Sequence, residues 1–255
     1  MFKKIIDGKR AVFFDLDGTI VDTEPLWERA FETVLQLYNA DFVGYDELPD
    51  GATVPQKWEY IIHTNAEYLS GIPNVAELSR LTHTEYLKIV ENSLLEARPG
   101  FWDLAAKLKV DKNLKIALVT NSTKEITQKV LSKIGVTSTF DLVVTGDEVK
   151  KAKPAPEIFL KAAKTLNVKP AEVLVFEDSL AGASSAVNAG MDLIVIWDGV
   201  FEKTAYPENT IMFLPDFESL PGNLDMTMEE AVKTEAQEML KEQEEHKPDT
   251  TTPVA

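Results

Sequence analysis

Five short apolar runs decide what this chain can fold into. "AVFFD" (Ala11–Asp15), "LKIALVT" (Leu114–Thr120), "FDLVVT" (Phe140–Thr145), "VLVFED" (Val173–Asp178) and "LIVIWD" (Leu193–Asp198) are rich in β-branched residues and nearly continuous. Runs without polar alternation read as strands covered on both faces. From Leu114 onward, stretches of helical period separate them. Ile126, Val130 and Ile134 recur at i, i+4 and i+8, with Gly135 as a stop. The next stretch has Pro156 near its start and Phe159, Ala163 and Leu166 on one side. In the third, Ser179 precedes Leu180, Ala183 and Val187, and Gly190 closes it. Strand and helix in alternation predict an α/β fold, a doubly wound and mostly parallel sheet with a Rossmann-like core.

One interval breaks the rhythm. Between Pro25 and about Ala97 the patterns are helical only, as in Trp27, Phe31, Val34 and Leu35, then Leu87, Val90 and Leu94. "ARPG" (Ala97–Gly100) resets the chain before "FWDLAAKLK", a helix of the core. The economical parse is an all-helical cap, residues 23–97, inserted into a core built from 1–22 and 98–224, with the two crossings as a hinge. Residues 225–255 form an acidic tail. Met228, Val232 and Leu240 there predict at most one weak helix before a disordered end.

In a doubly wound sheet, ligands collect at the carboxyl ends of the strands. The first strand ends in Asp15 and Asp17, the second in Thr120, Asn121 and Ser122. The third leads through "TGDEVKKAKPAPE" to Lys153, and the fourth ends in Glu177 and Asp178. Each alone has a structural reading: an Asp-x-Asp turn, a helix cap, a surface lysine, an acid at a helix start. Four such coincidences at successive strand ends favour a site. Asp15 and Asp17 share a face if extension persists that far, and Gly18 then permits a sharp turn. Carboxylates about 4 Å apart repel by roughly 4 kcal/mol per pair at an effective dielectric near 20. A hard divalent cation offsets that, and Mg²⁺ suits oxygen donors facing a phosphate-bearing substrate.

Composition removes the rival chemistries. Cysteine is absent, so disulfides, thiolate nucleophiles and zinc–thiolate sites are excluded. His63, His83 and His246 all lie far in sequence from the charged motifs. A formal net charge of −16 argues against nucleic acid and anionic membrane as partners. No run reaches the length of a bilayer span, and "MFKKIIDGKR" lacks an apolar signal core. A cytoplasmic monomer acting on a small phosphorylated metabolite is the expectation.

"DLDGTIVDTEP", "VTNS", "KPAPEIF" and "VFEDSLAG", in that order and on those strand ends, resemble the four motifs of the haloacid dehalogenase superfamily. More narrowly they resemble its phosphatase and β-phosphoglucomutase-like branch with a helical cap. The resemblance spans about residues 11–200 and is weakest through the cap. It implies Asp15 as the nucleophile that forms an aspartyl-phosphate, and Asp17 as the acid and base for leaving group and water. It implies Mg²⁺ on the Asp15 and Asp178 carboxylates and the Asp17 backbone carbonyl, with Glu177 as a further or outer ligand. Thr120 would bind the transferring phosphoryl group with Asn121 and Ser122 beside it, and Lys153 would neutralise phosphate and Asp15. The mutases carry a histidine where this chain has Trp27, which favours hydrolysis of a sugar, polyol or nucleotide monophosphate. Dehalogenating members lack an aspartate at the position of Asp17. The alternatives are a phosphohexose mutase and a phospho-Asp signalling or binding protein without turnover. Lys57, His63 and Arg80 are the cap residues considered for contact with substrate.

Overall fold

The computed structural model describes residues 2–38, 40, 48–49, 51–65, 73–110, 112–135 and 139–225. The helix expected around Met228–Leu240 and the end beyond it lie outside them. Six parallel strands form one sheet: β1 (Ala11–Phe14), β2 (Lys115–Val119), β3 (Leu142–Val144), β4 (Val173–Glu177), β5 (Asp192–Ile196) and β6 (Met212–Leu214). Their order is β3-β2-β1-β4-β5-β6. The direction of winding reverses at β1, which pairs with β2 on one side and β4 on the other. That switch point opens a crevice at the carboxyl ends of β1 and β4.

Every residue of β1 is buried, as the unalternating "AVFF" requires. Ala11 and Phe13 face a layer with α7 (Glu157–Leu166) and α8 (Leu180–Asn188), through Ile158, Phe159 and Ala183. Val12 and Phe14 face α5 (Phe101–Val110) and α9 (Ser219–Asp225). There Phe14 stacks on Phe176 at 5.0 Å and meets Phe101 and Phe217 edge-on. α6 (Lys124–Lys133) follows β2, with Thr123 as its cap and Gly135 just past its end. α1 (Phe2–Ile6) closes the same layer, burying Phe2 and Ile6.

Among the described residues, three helices lie between β1 and α5: α2 (Glu24–Gln36), α3 (Val54–Thr64) and α4 (Val75–Asn92). They pack on one another through Trp27 stacked on Tyr86 at 3.6 Å and Phe31 against Trp58 at 5.1 Å. Trp58 Nε1 donates to Thr82 Oγ1 at 2.9 Å, so the buried indole loses no hydrogen bond. Leu94 departs from its expected periodicity: α4 ends at Asn92, and Leu94 is fully exposed in the returning strand of chain. The two crossings are tied together. Arg98 N donates to Ile20 O at 2.7 Å and Arg98 Nε to Gly18 O at 2.9 Å. No described helix is long and apolar enough to cross a membrane.

Phe217 is wholly buried and touches Phe14, Phe101 and Phe176. Phe217→Ala is expected to destabilise the chain by about 3–5 kcal/mol, through lost transfer energy and a residual cavity. Urea denaturation measures it; a loss below about 1 kcal/mol would show that this aromatic cluster does not carry the layer.

Candidate active site

The carboxyl end of β1 places Asp15 at the switch point, with its backbone N–H donating to Phe176 O on β4. Its carboxylate is almost completely buried. Lys153, from the loop after β3, reaches the same point. Its Nζ donates to Asp15 Oδ1 at 2.5 Å, to Glu177 Oε1 at 2.5 Å and to Val119 O at 2.9 Å. All three ammonium hydrogens are thereby used. Burial alone would depress the Lys153 pKa, but the charges of Asp15 and Glu177 more than offset it and hold the group above its ordinary value. Burial pushes the Asp15 carboxyl well above its ordinary 3.8; Lys153 opposes the shift, while Glu177 and Asp17 add to it.

Glu177 ends β4 inside the protein. Its Oε2 accepts from the backbone N–H groups of Asp178 and Ser179 and from Ser179 Oγ, so both of its oxygens are engaged. Asp178 is less buried, and its Oδ1 accepts from Thr19 Oγ1 at 2.7 Å. Gly18 is what lets the first loop come so close. Its φ is +80°, and a Cβ there would stand 1.9 Å from Asp178 Oδ2.

Asp15, Glu177 and Asp178 each offer a carboxylate oxygen, all within 4.8 Å of one another. Three acids against the one ammonium of Lys153 leave a deficit of positive charge, and the donors are all oxygen. The cluster therefore fits a hard divalent cation.

Asp17 is not a fourth member of the cluster. β1 stops at Phe14, so the extended geometry that would align Asp17 with Asp15 does not persist. Asp17 Oδ2 accepts from Ser122 Oγ at 2.5 Å and Oδ1 from Thr23 Oγ1 at 2.7 Å. Trp27 Nε1 and Tyr86 OH reach Oδ1 at 3.5 Å, the outer limit of a hydrogen bond. Burial, followed by the charge of Asp17, raises the Tyr86 pKa well above 10, so its hydroxyl keeps its proton.

The residues after β2 divide their work. Thr120 Oγ1 accepts from Ser122 N at 3.1 Å, closing the turn. Asn121 Oδ1 accepts from Lys153 N, and its Nδ2 donates to Gly51 O in the segment leading to α3. One amide thus ties the lysine loop to the segment before α3.

A cavity of about 310 Å³ reaches Asp15, Asp17, Thr120, Asn121, Ser122, Lys153 and Asp178 from the side of α2 and α3. Lys57 lines it; His63 does not, and Arg80 is paired with Glu77 away from it. His83, distant in sequence from every charged motif, also lines it. Burial lowers the His83 pKa below 6.5 against the opposing charge of Glu125, which leaves a neutral imidazole at pH 7. Sequence reasoning missed Thr19, Thr23 and Tyr86, which hold Asp178 and Asp17. The two threonines sit inside the first motif, "DLDGTIVDTEP", and were legible as donors near acids. Nothing in the sequence relates Tyr86 to Asp17.

A family model described as haloacid dehalogenase-like hydrolase matches residues 9–190. A phosphorylated carbohydrates phosphatase of Thermotoga maritima is 34% identical over 185 residues, 72% of this chain and 83% of that one. A β-phosphoglucomutase of Bacillus subtilis is 30% identical over 203 residues, 74% and 84% of the two chains. Among solved structures, CbbY from Rhodobacter sphaeroides in complex with phosphate superposes with a TM-score of 0.72 at 25% identity. That match covers 86% of this chain and all of the other.

Lys153→Met would strand Asp15 and Glu177 in the interior. Metal-free protein is expected to lose about 3–5 kcal/mol at pH 8. Without Lys153 the Asp15 pKa rises further above its unfolded value. A carboxyl raised on folding binds its proton in the native state, so the variant's stability falls as pH climbs above 3.8. Denaturant titrations from pH 4.5 to 8 should show the gap to wild type widening with pH; a constant gap would contradict this.

Proposed function

Because the chain belongs to the haloacid dehalogenase-like hydrolases, we propose that it is a Mg²⁺-dependent phosphatase that hydrolyses a small phosphate monoester through an aspartyl-phosphate on Asp15. The single observation that carries this is the buried Lys153 bridging Asp15 and Glu177 at the floor of a cavity open to Asp17. A sugar or polyol phosphate is favoured over a nucleotide, in keeping with the name of the Thermotoga relative.

In this reading residues 23–97 cap a core of 1–22 and 98–224. The Asp15 and Asp178 carboxylates and the Asp17 backbone carbonyl would hold Mg²⁺. Glu177, with both oxygens already engaged, acts behind them by fixing Lys153. The cation would supply the charge neutralisation that lets an anionic nucleophile meet an anionic ester. A carboxylate oxygen of Asp15 attacks phosphorus, the bond to the leaving oxygen breaks, and Asp17 gives that oxygen its proton. Lys153 compensates the charge shared by Asp15 and phosphate, and Thr120, Asn121 and Ser122 border the phosphoryl oxygens. A water then attacks the acyl phosphate and passes its proton to Asp17, releasing inorganic phosphate and restoring Asp15.

Hydrolysis is favoured over mutase chemistry by the neighbours of Asp17. Thr23, Trp27 and Tyr86 direct neutral donors at it, and no imidazole is among them. Phosphate release from a panel of sugar, polyol and nucleotide monophosphates tests the reading. Chelation should abolish release and Mg²⁺ restore it, and Asp15→Asn should cut kcat/KM by about 10³-fold or more. Turnover that survives either change would exclude the mechanism, and isomerised sugar phosphate without free phosphate would favour a mutase.

A further inference from the structure

Above the catalytic floor, the described residues of the insert bring one cation to the cavity: Lys57, from the first turns of α3. Its side chain is largely buried, and Nζ lies 3.5 Å from Glu24 Oε2 in the first turn of α2. His83, which also lines the cavity, is neutral at pH 7. Lys57 and Glu24 also line a second cavity of about 220 Å³, whose other walls include Asp22, Glu28 and Asp198. The pair therefore borders both cavities, and Asp178 lines the second as well as the first.

We infer that Lys57 and Glu24 form a specificity element that accepts a small, uncharged, polyhydroxylated leaving group and rejects one bearing a second phosphate. The inference rests on the phosphatase reading and deepens it. An ammonium only donates hydrogen bonds and a carboxylate only accepts them. Adjacent hydroxyls of a sugar or polyol do both, so one accepts from Lys57 while its neighbour donates to Glu24. Trp27 and Phe31 line the same cavity and offer apolar surface to the C–H face of such a group. The volume lies at the low end of the range of ligand cavities, roughly 300–1,000 Å³, which suits a leaving group smaller than a nucleoside. A second phosphate would find the one cation that the described residues of the insert bring to the cavity already matched by Glu24, and would meet that carboxylate at close range. Like charges so opposed exclude the wrong ligand.

The test compares kcat/KM in wild type, Lys57→Met and Glu24→Gln, with Mg²⁺ present. The substrates are the best-used hexose or hexitol monophosphate, the bisphosphate of the same sugar, and p-nitrophenyl phosphate, whose leaving group has no vicinal hydroxyls. Wild type should prefer the monophosphate to the bisphosphate by about tenfold or more. Lys57→Met should lower the ratio of sugar monophosphate to aryl phosphate about tenfold, mainly through KM. Glu24→Gln should raise the ratio of bisphosphate to monophosphate by about tenfold. Ratios cancel any loss of folded enzyme. Aryl phosphate hydrolysis with both ratios within about twofold of wild type, or a wild-type preference for the bisphosphate, overturns this inference alone. Folded, Mg²⁺-loaded protein that releases phosphate from none of the esters overturns the phosphatase reading and this one with it.

Discussion

An ammonium sealed between two buried carboxylates is the interaction on which the rest of the site depends. Lys153 comes from the loop after β3, and its acceptors sit at the ends of β1, β2 and β4. One side chain thus registers the carboxyl ends of three strands. Its removal would leave acids without compensation in a low-dielectric interior, where an unpaired charge costs far more than at a surface. Even with Lys153 in place, Asp15, Glu177 and Asp178 remain short of positive charge. The same imbalance that burdens the fold suits the site to a hard cation.

Around that floor the loops differ in what they contribute. The turn at Gly18 lets Thr19 hold Asp178 and lets Arg98 reach back from the second crossing to Gly18 O. Asp17 is gripped from both sides, by Ser122 of the core and by Thr23, with Trp27 and Tyr86 farther off. Asn121 joins the lysine loop to Gly51. The helical insert therefore touches Asp17 directly, through Trp27 and Tyr86.

The sheet and the cluster were legible because their signals are local. Runs such as "AVFF" and "VLVFE" announce strands buried on both faces, and each is followed at once by the residues that the crevice gathers. Asp17 was legible as a site residue but the partners of its carboxylate were not, since Ser122, Trp27 and Tyr86 come from other elements. α9 was hidden by its own composition: "SLPGNLD" contains Pro and Gly, and only the burial of Leu220 and Leu224 sustains it. β6 is three residues long, too short for a periodic signal. Tyr86 is 69 residues from Asp17 in the chain, and His83 reaches the cavity only because α4 packs on α2. Such meetings are tertiary, and no spacing in the sequence encodes them.

The central claim is that phosphorus is bonded transiently to Asp15. Rapid quenching of enzyme turning over a sugar monophosphate, followed by borohydride reduction and peptide mass spectrometry, tests it most directly. The account predicts that the peptide containing Phe13–Thr19 carries the reduced residue at position 15, and that the signal disappears when substrate or Mg²⁺ is omitted. An adduct on any other residue, or phosphate release at full rate with none on Asp15, would contradict it.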